Sequence, residues 1–252
     1  MPIRQVGKIR SSARAIPRTA SGNRVRNRLL LLAPESEYLL LRPHLELVAL
    51  PHHLCVHEPH QRVDAVYFPN EGLISLVVEL KDGKTVEAGL VGNEGITGMP
   101  AVLGLIRSPL REVVQIAGEG FRVKLDVFTK VLRSTPCFKA MLDLFAAGLA
   151  MQVAQTAACN RLHNIEHRLA RWLLMAQDRL GSDLLPITHD FLATMLGTDR
   201  PSVSLAAGVL QKKKMIRYRR GSVTIENRKQ LEKFACECYA VVQEYSKQKG
   251  AA

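Results

Sequence analysis

The stretch THDFLATMLGTDRPSVSLAAGVLQKKKMIRYRRGSVTI, Thr188 to Ile225, constrains the fold more than any other. Thr188 can cap a helix over His189 to Leu196, with Asp190 in the first turn where a carboxylate meets the positive end of the helix dipole. Gly197 ends it. Asp199 can cap a second helix, in which Pro201 is harmless because the first turn needs no intrahelical N–H. Helices joined by so short a turn cross steeply, so the crossing needs small residues. Ala193 and Gly197 meet that need, while Leu192, Leu196, Val203, Ala206 and Leu210 supply a shared core. Arg200, Pro201, Ser204, Leu205 and Gly208 are then left on the outer face of the second helix.

Six cations follow: Lys212, Lys213 and Lys214 at the helix end, and Arg217, Arg219 and Arg220 in MIRYRRGSVTI, a hairpin with Gly221 at its turn. Alone, the lysines read as a solvated helix end complementing the dipole. Directly after the helix pair, they predict a winged helix-turn-helix whose second helix enters a major groove, with phosphates on either side. Arg200 is the candidate for bidentate bonding to guanine. Ser202 and Ser204 suit phosphate or backbone contacts. Thr188, Asp199, Pro201, Leu205, Lys212, Lys213, Arg217, Arg219 and Arg220 complete the expected DNA-facing set.

The rest of the 252 residues must supply another domain. Residues 62–128 read as short strands broken by Gly, Asn, Asp and Pro, with a hairpin at Asp82-Gly83, the pattern of a small antiparallel barrel or sandwich. From Thr135 to His163 the period becomes helical: Leu142, Phe145, Leu149, Val153 and Thr156 recur at steps of three and four. That is a helix of roughly 42 Å at 1.5 Å per residue, whose apolar seam suits pairing with a twin, the alternative being packing on its own barrel. A second helix, IEHRLARWLLMAQDRLG, presents Ile165, Leu169, Trp172, Leu173 and Ala176 on one face. A single final helix is expected from about Arg228 to Lys247.

Net charge is +12, which favours polyanionic partners. No apolar run approaches the roughly 18 residues of a membrane span, none being longer than the five of Leu29 to Ala33. The expectation is a cytoplasmic protein without membrane attachment. Cys55, Cys137, Cys159, Cys236 and Cys238 are odd in number and irregular in spacing, which argues for a reducing compartment and against a disulfide framework. Cys236 and Cys238 read as packing in the terminal helix, with a metal or redox role the lesser alternative. PHHLCVHEPH collects His52, His53, Cys55, His57 and His60; in a strand, His53, Cys55 and His57 would share a face fit for a metal, against the plainer reading of edges and loops. No Walker loop, HExxH or nucleophile elbow is present, so no enzyme is expected.

The order of a small β domain, a long helix, HNIEHRLARWLL and the stretch above resembles the cyclic-AMP receptor protein/FNR (Crp/Fnr) family of bacterial transcription regulators, over about residues 30 to 240. Residues 1–28, with eight Arg or Lys and no acid, read as a basic disordered arm; the resemblance implies an α+β chain with a cyclic-nucleotide-binding-like β-roll or jelly roll (29–134), a dimerisation helix (135–163) and a winged helix-turn-helix DNA-binding domain (164–250). It implies a homodimer on double-stranded DNA with RNA polymerase as a further partner. Departures are plain. Pro201 stands where the family has Glu, and Leu205 where it has a second Arg. GNEGITGMP lacks the Gly-Glu pair that holds ribose, and the base-binding helix positions read Val153-Ala154. Of the phosphate cassette only Arg107 and Ser108 remain as effector candidates. No cofactor is expected, with a cyclic nucleotide or a metal as alternatives. The competing function is a sensor of such a ligand that acts through protein partners.

Overall fold

The computed structural model describes residues 17–247, so the first 16 residues of the expected arm lie outside the described residues. From Pro17 onward the chain is packed. Val25 and Asn27 are buried, and Asn27 donates from Nδ2 to the carbonyls of Pro69 and Gly95 at 3.0 and 2.7 Å. The expected arm is corrected to that extent: buried amide bonds of this kind tie residues 17–28 to the β domain.

Two short helices, α1 (Arg28–Leu32) and α2 (Glu35–Leu41), precede the strands β1 (Glu46–Leu50), β2 (Cys55–His57), β3 (Ala65–Pro69), β4 (Leu73–Glu79) and β5 (Thr85–Val91). After α3 (Met99–Val102) come β6 (Arg111–Ile116), β7 (Gly118–Lys124) and α4 (Leu125–Leu132). The strands form two antiparallel sheets, ordered β1-β7-β3 and β2-β6-β4-β5. The expected hairpin joins β4 to β5, with Gly83 at φ +80°. Alternating strand residues fill a core that continues under the helices, where Phe68, Phe128 and Phe138 pack ring to ring.

Helix α5 (Pro136–Leu162) carries two apolar stripes. The stripe expected to pair with a twin faces the chain's own body. Phe138, Leu142, Gln152, Thr156 and Cys159 are buried, and Gln152 donates to the Leu90 carbonyl of β5 at 3.2 Å. A Cβ at Gly95 would stand 2.3 Å from Cζ of Phe145, so the bare glycine lets that ring close on the β domain. The exposed stripe is the other one: Leu144, Ala147, Met151, Ala154, Ala158 and Leu162, spaced by four and three. The outward apolar stripe is thus not the one expected, since both stripes have helical period and only packing separates them. It also qualifies the membrane reading: α5 is long and apolar enough, by length and composition, to cross a bilayer.

Helix α6 (Ile165–Leu180) is buried all round over Arg168 to Gln177, instead of on one face. One side meets the β domain and the other the helices that follow. The elements after α6 are β8 (Leu184–Leu185), α7 (His189–Leu196), α8 (Arg200–Lys212), β9 (Ile216–Arg219), β10 (Ser222–Ile225), α9 (Arg228–Phe234) and α10 (Cys238–Lys247). The single terminal helix expected is thus two, broken where Ala235 turns extended at ψ 155°. Leu73, Leu90 and Ile116 of the β domain share one core with Leu169, Trp172, Leu192 and Leu196. Buried polar contacts cross the same boundary. Trp172 Nε1 donates to Glu87 Oε1 at 2.8 Å and Arg179 pairs with Glu94 at 2.9 Å, while within the β domain Ser75 Oγ donates to Glu87 Oε2 at 2.5 Å.

Candidate nucleic-acid interface

The helix pair begins with two side-chain caps. Thr188 Oγ1 accepts from the Phe191 amide at 3.1 Å and Asp199 Oδ1 from the Ser202 amide at 2.8 Å. The bonds from Ser202 hold the Asp199 carboxyl below the usual carboxylate range. Between the helices, Gly197 takes the left-handed conformation, φ +58°, and the Thr198 amide donates back to the Ala193 carbonyl at 2.9 Å. Leu192, Leu196, Val203, Ala206 and Leu210 are all buried beneath the pair.

The outward face of α8 is Arg200, Pro201, Ser204, Leu205 and Gly208, all exposed, with Leu205 at 74%. Ser202 is half-buried and its hydroxyl donates to Asp199 Oδ2 at 3.0 Å, so it is engaged within the cap. Arg200 Nε lies 3.6 Å from Asp190 Oδ1, an exposed pair. Lys212 is exposed at the end of α8. Lys213 is also exposed, but its ammonium sits over the Phe234 ring at 5.5 Å, on the side of α9. Strands β9 and β10 form the wing around Arg220 and Gly221, at φ +47° and +78°. Arg217 pairs with Glu226 at 3.3 Å, whereas Arg219 and Arg220 have no ion pair among the described residues.

Three residues overlooked in the sequence fix the wing to the helices. His189 stacks on Tyr218 at 3.9 Å, and its Nδ1 is 2.9 Å from Ser204 Oγ. The Tyr218 amide donates to Gln211 Oε1 at 2.8 Å. Burial, and then the nearby Arg200 charge, hold the His189 pKa below its ordinary value, so the ring is neutral at neutral pH. A histidine beside a helix cap and a tyrosine between wing arginines were the available signals.

The effector candidates are placed unequally. Arg107 is exposed, while Ser108 is buried and its Oγ accepts from the Leu110 amide at 3.1 Å, closing a local turn. In PHHLCVHEPH, β2 starts only at Cys55, and His53 lies in a turn at φ +67°. His57 is buried between two acceptors, Glu112 Oε2 at 2.9 Å and the Ala65 carbonyl at 2.7 Å. Burial alone would lower its pKa; the two acceptors outweigh that and raise it. Those residues therefore do not form the one-faced strand site that the spacing allowed. The group of metal-ligating side chains that does assemble is elsewhere: Cys159, His163, Cys236 and Cys238, with their donor atoms all within 4.8 Å of one another.

A family model described as the Crp-like helix-turn-helix domain matches residues 167–234. No curated protein matches the chain. Among solved structures, FixK2 from Bradyrhizobium japonicum is similar at 15% identity over 76% of this chain and 98% of its own, with a TM-score of 0.67. CLP of Xanthomonas campestris, described as a c-di-GMP responsive global regulator, is similar at 13% identity over 76% of this chain and 99% of its own, TM-score 0.63. A CRP-family transcriptional regulator of Thermus thermophilus is similar at 19% identity over 75% and 96%, TM-score 0.61. Residues 167–234 are thus a Crp-like helix-turn-helix domain, set in a chain with the fold of the Crp/FNR transcription regulators.

Proposed function

We propose that the protein is a dimeric, sequence-specific transcription regulator that places α8 in the major groove and the wing against the adjoining phosphates. The observation that carries this reading is the solvent-exposed outward face of α8, flanked by Arg219 and Arg220, which have no ion pair among the described residues. Arg200 reads a base, Leu205 meets a thymine methyl, and Thr188, Asp199, Pro201, Ser202 and Ser204 lie along the groove edge. Lys212, Lys213 and Arg217 add charge. With only one charged reader per helix, shape and phosphate contacts carry more of the selection.

Dimerisation runs through the exposed stripe of α5, where alanines let two helices approach closely and Leu144, Met151 and Leu162 fill the gaps. Crossing a bilayer instead would tear Gln152 from Leu90 and from Arg179, leaving polar groups in hydrocarbon. The two-fold axis then sets half-sites about one helical turn apart, near 34 Å. Of the effector pair, Arg107 is the member free to meet an anion. RNA polymerase is the downstream partner, and the cytoplasm the place of action.

Selection from a random duplex library at two salt concentrations tests the reading. A palindromic motif bound with a steep loss of affinity at higher salt is expected. Salt-sensitive binding without sequence preference would overturn it in favour of a sensor with an incidental basic tail.

A further inference from the structure

The cysteines and the histidine at the junction of α5 and α10 have no part in DNA recognition. Cys159 and His163 are four residues apart at the end of α5, so their side chains leave the same face. Cys236 and Cys238 flank Glu237 at the break between α9 and α10. Folding brings the pairs together: Cys159 Sγ lies 3.5 Å from Cys236 Sγ, and Cys238 Sγ lies 3.5 Å from His163 Nδ1. A tetrahedral zinc ion with bonds of about 2.3 Å to sulfur and about 2.0 to 2.1 Å to nitrogen spans edges of about 3.8 Å between sulfurs and about 3.5 Å from sulfur to nitrogen. The side chains stand close to that figure.

The surroundings fit a metal better than a thiol pair. His163 Nε2, the nitrogen turned away from the cysteines, lies 3.2 Å from Glu237 Oε1, the carboxylate partner that orients a zinc-bound imidazole. Gln155 Nε2 points at Cys238 Sγ from 3.1 Å, as a donor to a thiolate would. All three cysteines are buried. Two buried guanidiniums brace the same turn of α5, Arg171 on Thr156 Oγ1 at 3.3 Å and Arg168 on Asn160 Oδ1 at 3.1 Å. Neither has an ion pair among the described residues, and each keeps an unpartnered buried Nε. Three thiolates and a neutral imidazole on Zn²⁺ leave one net negative charge beside the two guanidiniums. A disulfide between Cys159 and Cys236 would use two of the four donors and leave the convergence of Cys238 and His163 without a cause.

We propose that Cys159, His163, Cys236 and Cys238 are the ligands of one tetrahedral zinc ion that pins the end of α5 to the start of α10. Four protein ligands close the coordination shell, so the ion is structural. It bridges the turn at His163-Asn164, where the chain passes from the long helix into the DNA-binding domain.

Full-length protein, purified under reducing conditions with zinc supplied and no chelator, is expected to carry one zinc per chain by elemental mass spectrometry. Chelation should raise the count of reactive thiols by three. Cobalt replacing zinc should give thiolate-to-cobalt charge transfer and the intense visible bands of four-coordinate cobalt. Cys236→Ser and Cys238→Ser should each lose the metal, while Cys137→Ser, at an exposed position, keeps it. A folded, fully reduced wild-type chain that takes up neither zinc nor cobalt overturns the proposal, as does zinc retained by both serine variants. So does a stoichiometric Cys159–Cys236 disulfide formed with zinc present. If the variants do not fold, wild-type stoichiometry, cobalt spectrum and thiol count decide alone. None of these readouts involves DNA, so they stand apart from the regulator reading.

Discussion

Arg200 occupies the first position of α8 with most of its side chain in solvent, held only by an exposed pair to Asp190. Such a pair is worth little and yields readily to a guanine edge. Arg200→Ala is therefore expected to relax preference at one base pair per half-site, by about 1 to 3 kcal/mol of discrimination, read in a selected-sequence motif. An unchanged motif removes Arg200 as a reader. Glu87 makes a different residue-scale prediction. Burial pushes its carboxyl up from 4.5 to about 7, against the bonds from Ser75 and Trp172 that pull it down. Between those values the folded protein holds a proton that the unfolded chain has lost, so stability falls as pH rises through the window and levels off above it. His57, with its raised pKa, adds a loss of the same sign above about 6.5. Glu87→Gln keeps an acceptor for Trp172 and cannot ionise. It should be more stable than wild type at pH 8 by roughly 2 to 3 kcal/mol and similar to it at pH 4.5, by urea unfolding. An equal pH slope in both proteins would show that another group titrates.

At the scale of elements, legibility in the sequence followed locality. The helix pair and its wing were readable because caps and turns are decided within a few residues: Thr188, Gly197, Asp199 and Gly221 each act on near neighbours. Helix α5 was readable as a helix, but the assignment of its faces was not. Leu142 and Leu144 both belong to stripes of helical period, and only the β domain decides which stripe is covered. The cysteine group was unreadable because Cys159 and Cys236 are separated by 77 positions, and the break at Ala235 that aims Cys236 at α5 has no Pro or Gly to announce it. The interior course of α6 is not legible in the sequence because Arg168, Arg171 and Arg179 have the pattern of surface residues and only their tertiary partners bury them. The exposed stripe of α5 yields its own prediction. In the proposed dimer, Met151→Glu sets a carboxylate against its twin across the seam and should convert dimer to monomer in sedimentation, leaving the circular dichroism of each chain intact. A dimer that persists would place the interface elsewhere.

For the whole molecule, charge is the first consequence. Arg219 and Arg220 stand at the wing tip without ion-pair partners among the described residues, so Arg219→Ala should weaken all duplexes alike and lower the salt dependence of log K by about 1. Loss confined to one sequence would contradict a phosphate role.

The core that joins Leu73, Leu90 and Ile116 to Trp172 and Leu196 has an effect on how the chain can be divided. A polypeptide severed near Asn164 would put both sides of that seam in water and strand Glu87 without its indole partner. Truncation should therefore yield aggregating pieces rather than a free operator-binding module. Lesions in the β4–β5 hairpin, far in sequence from any reader, should then surface in genetic screens as failures of repression or activation.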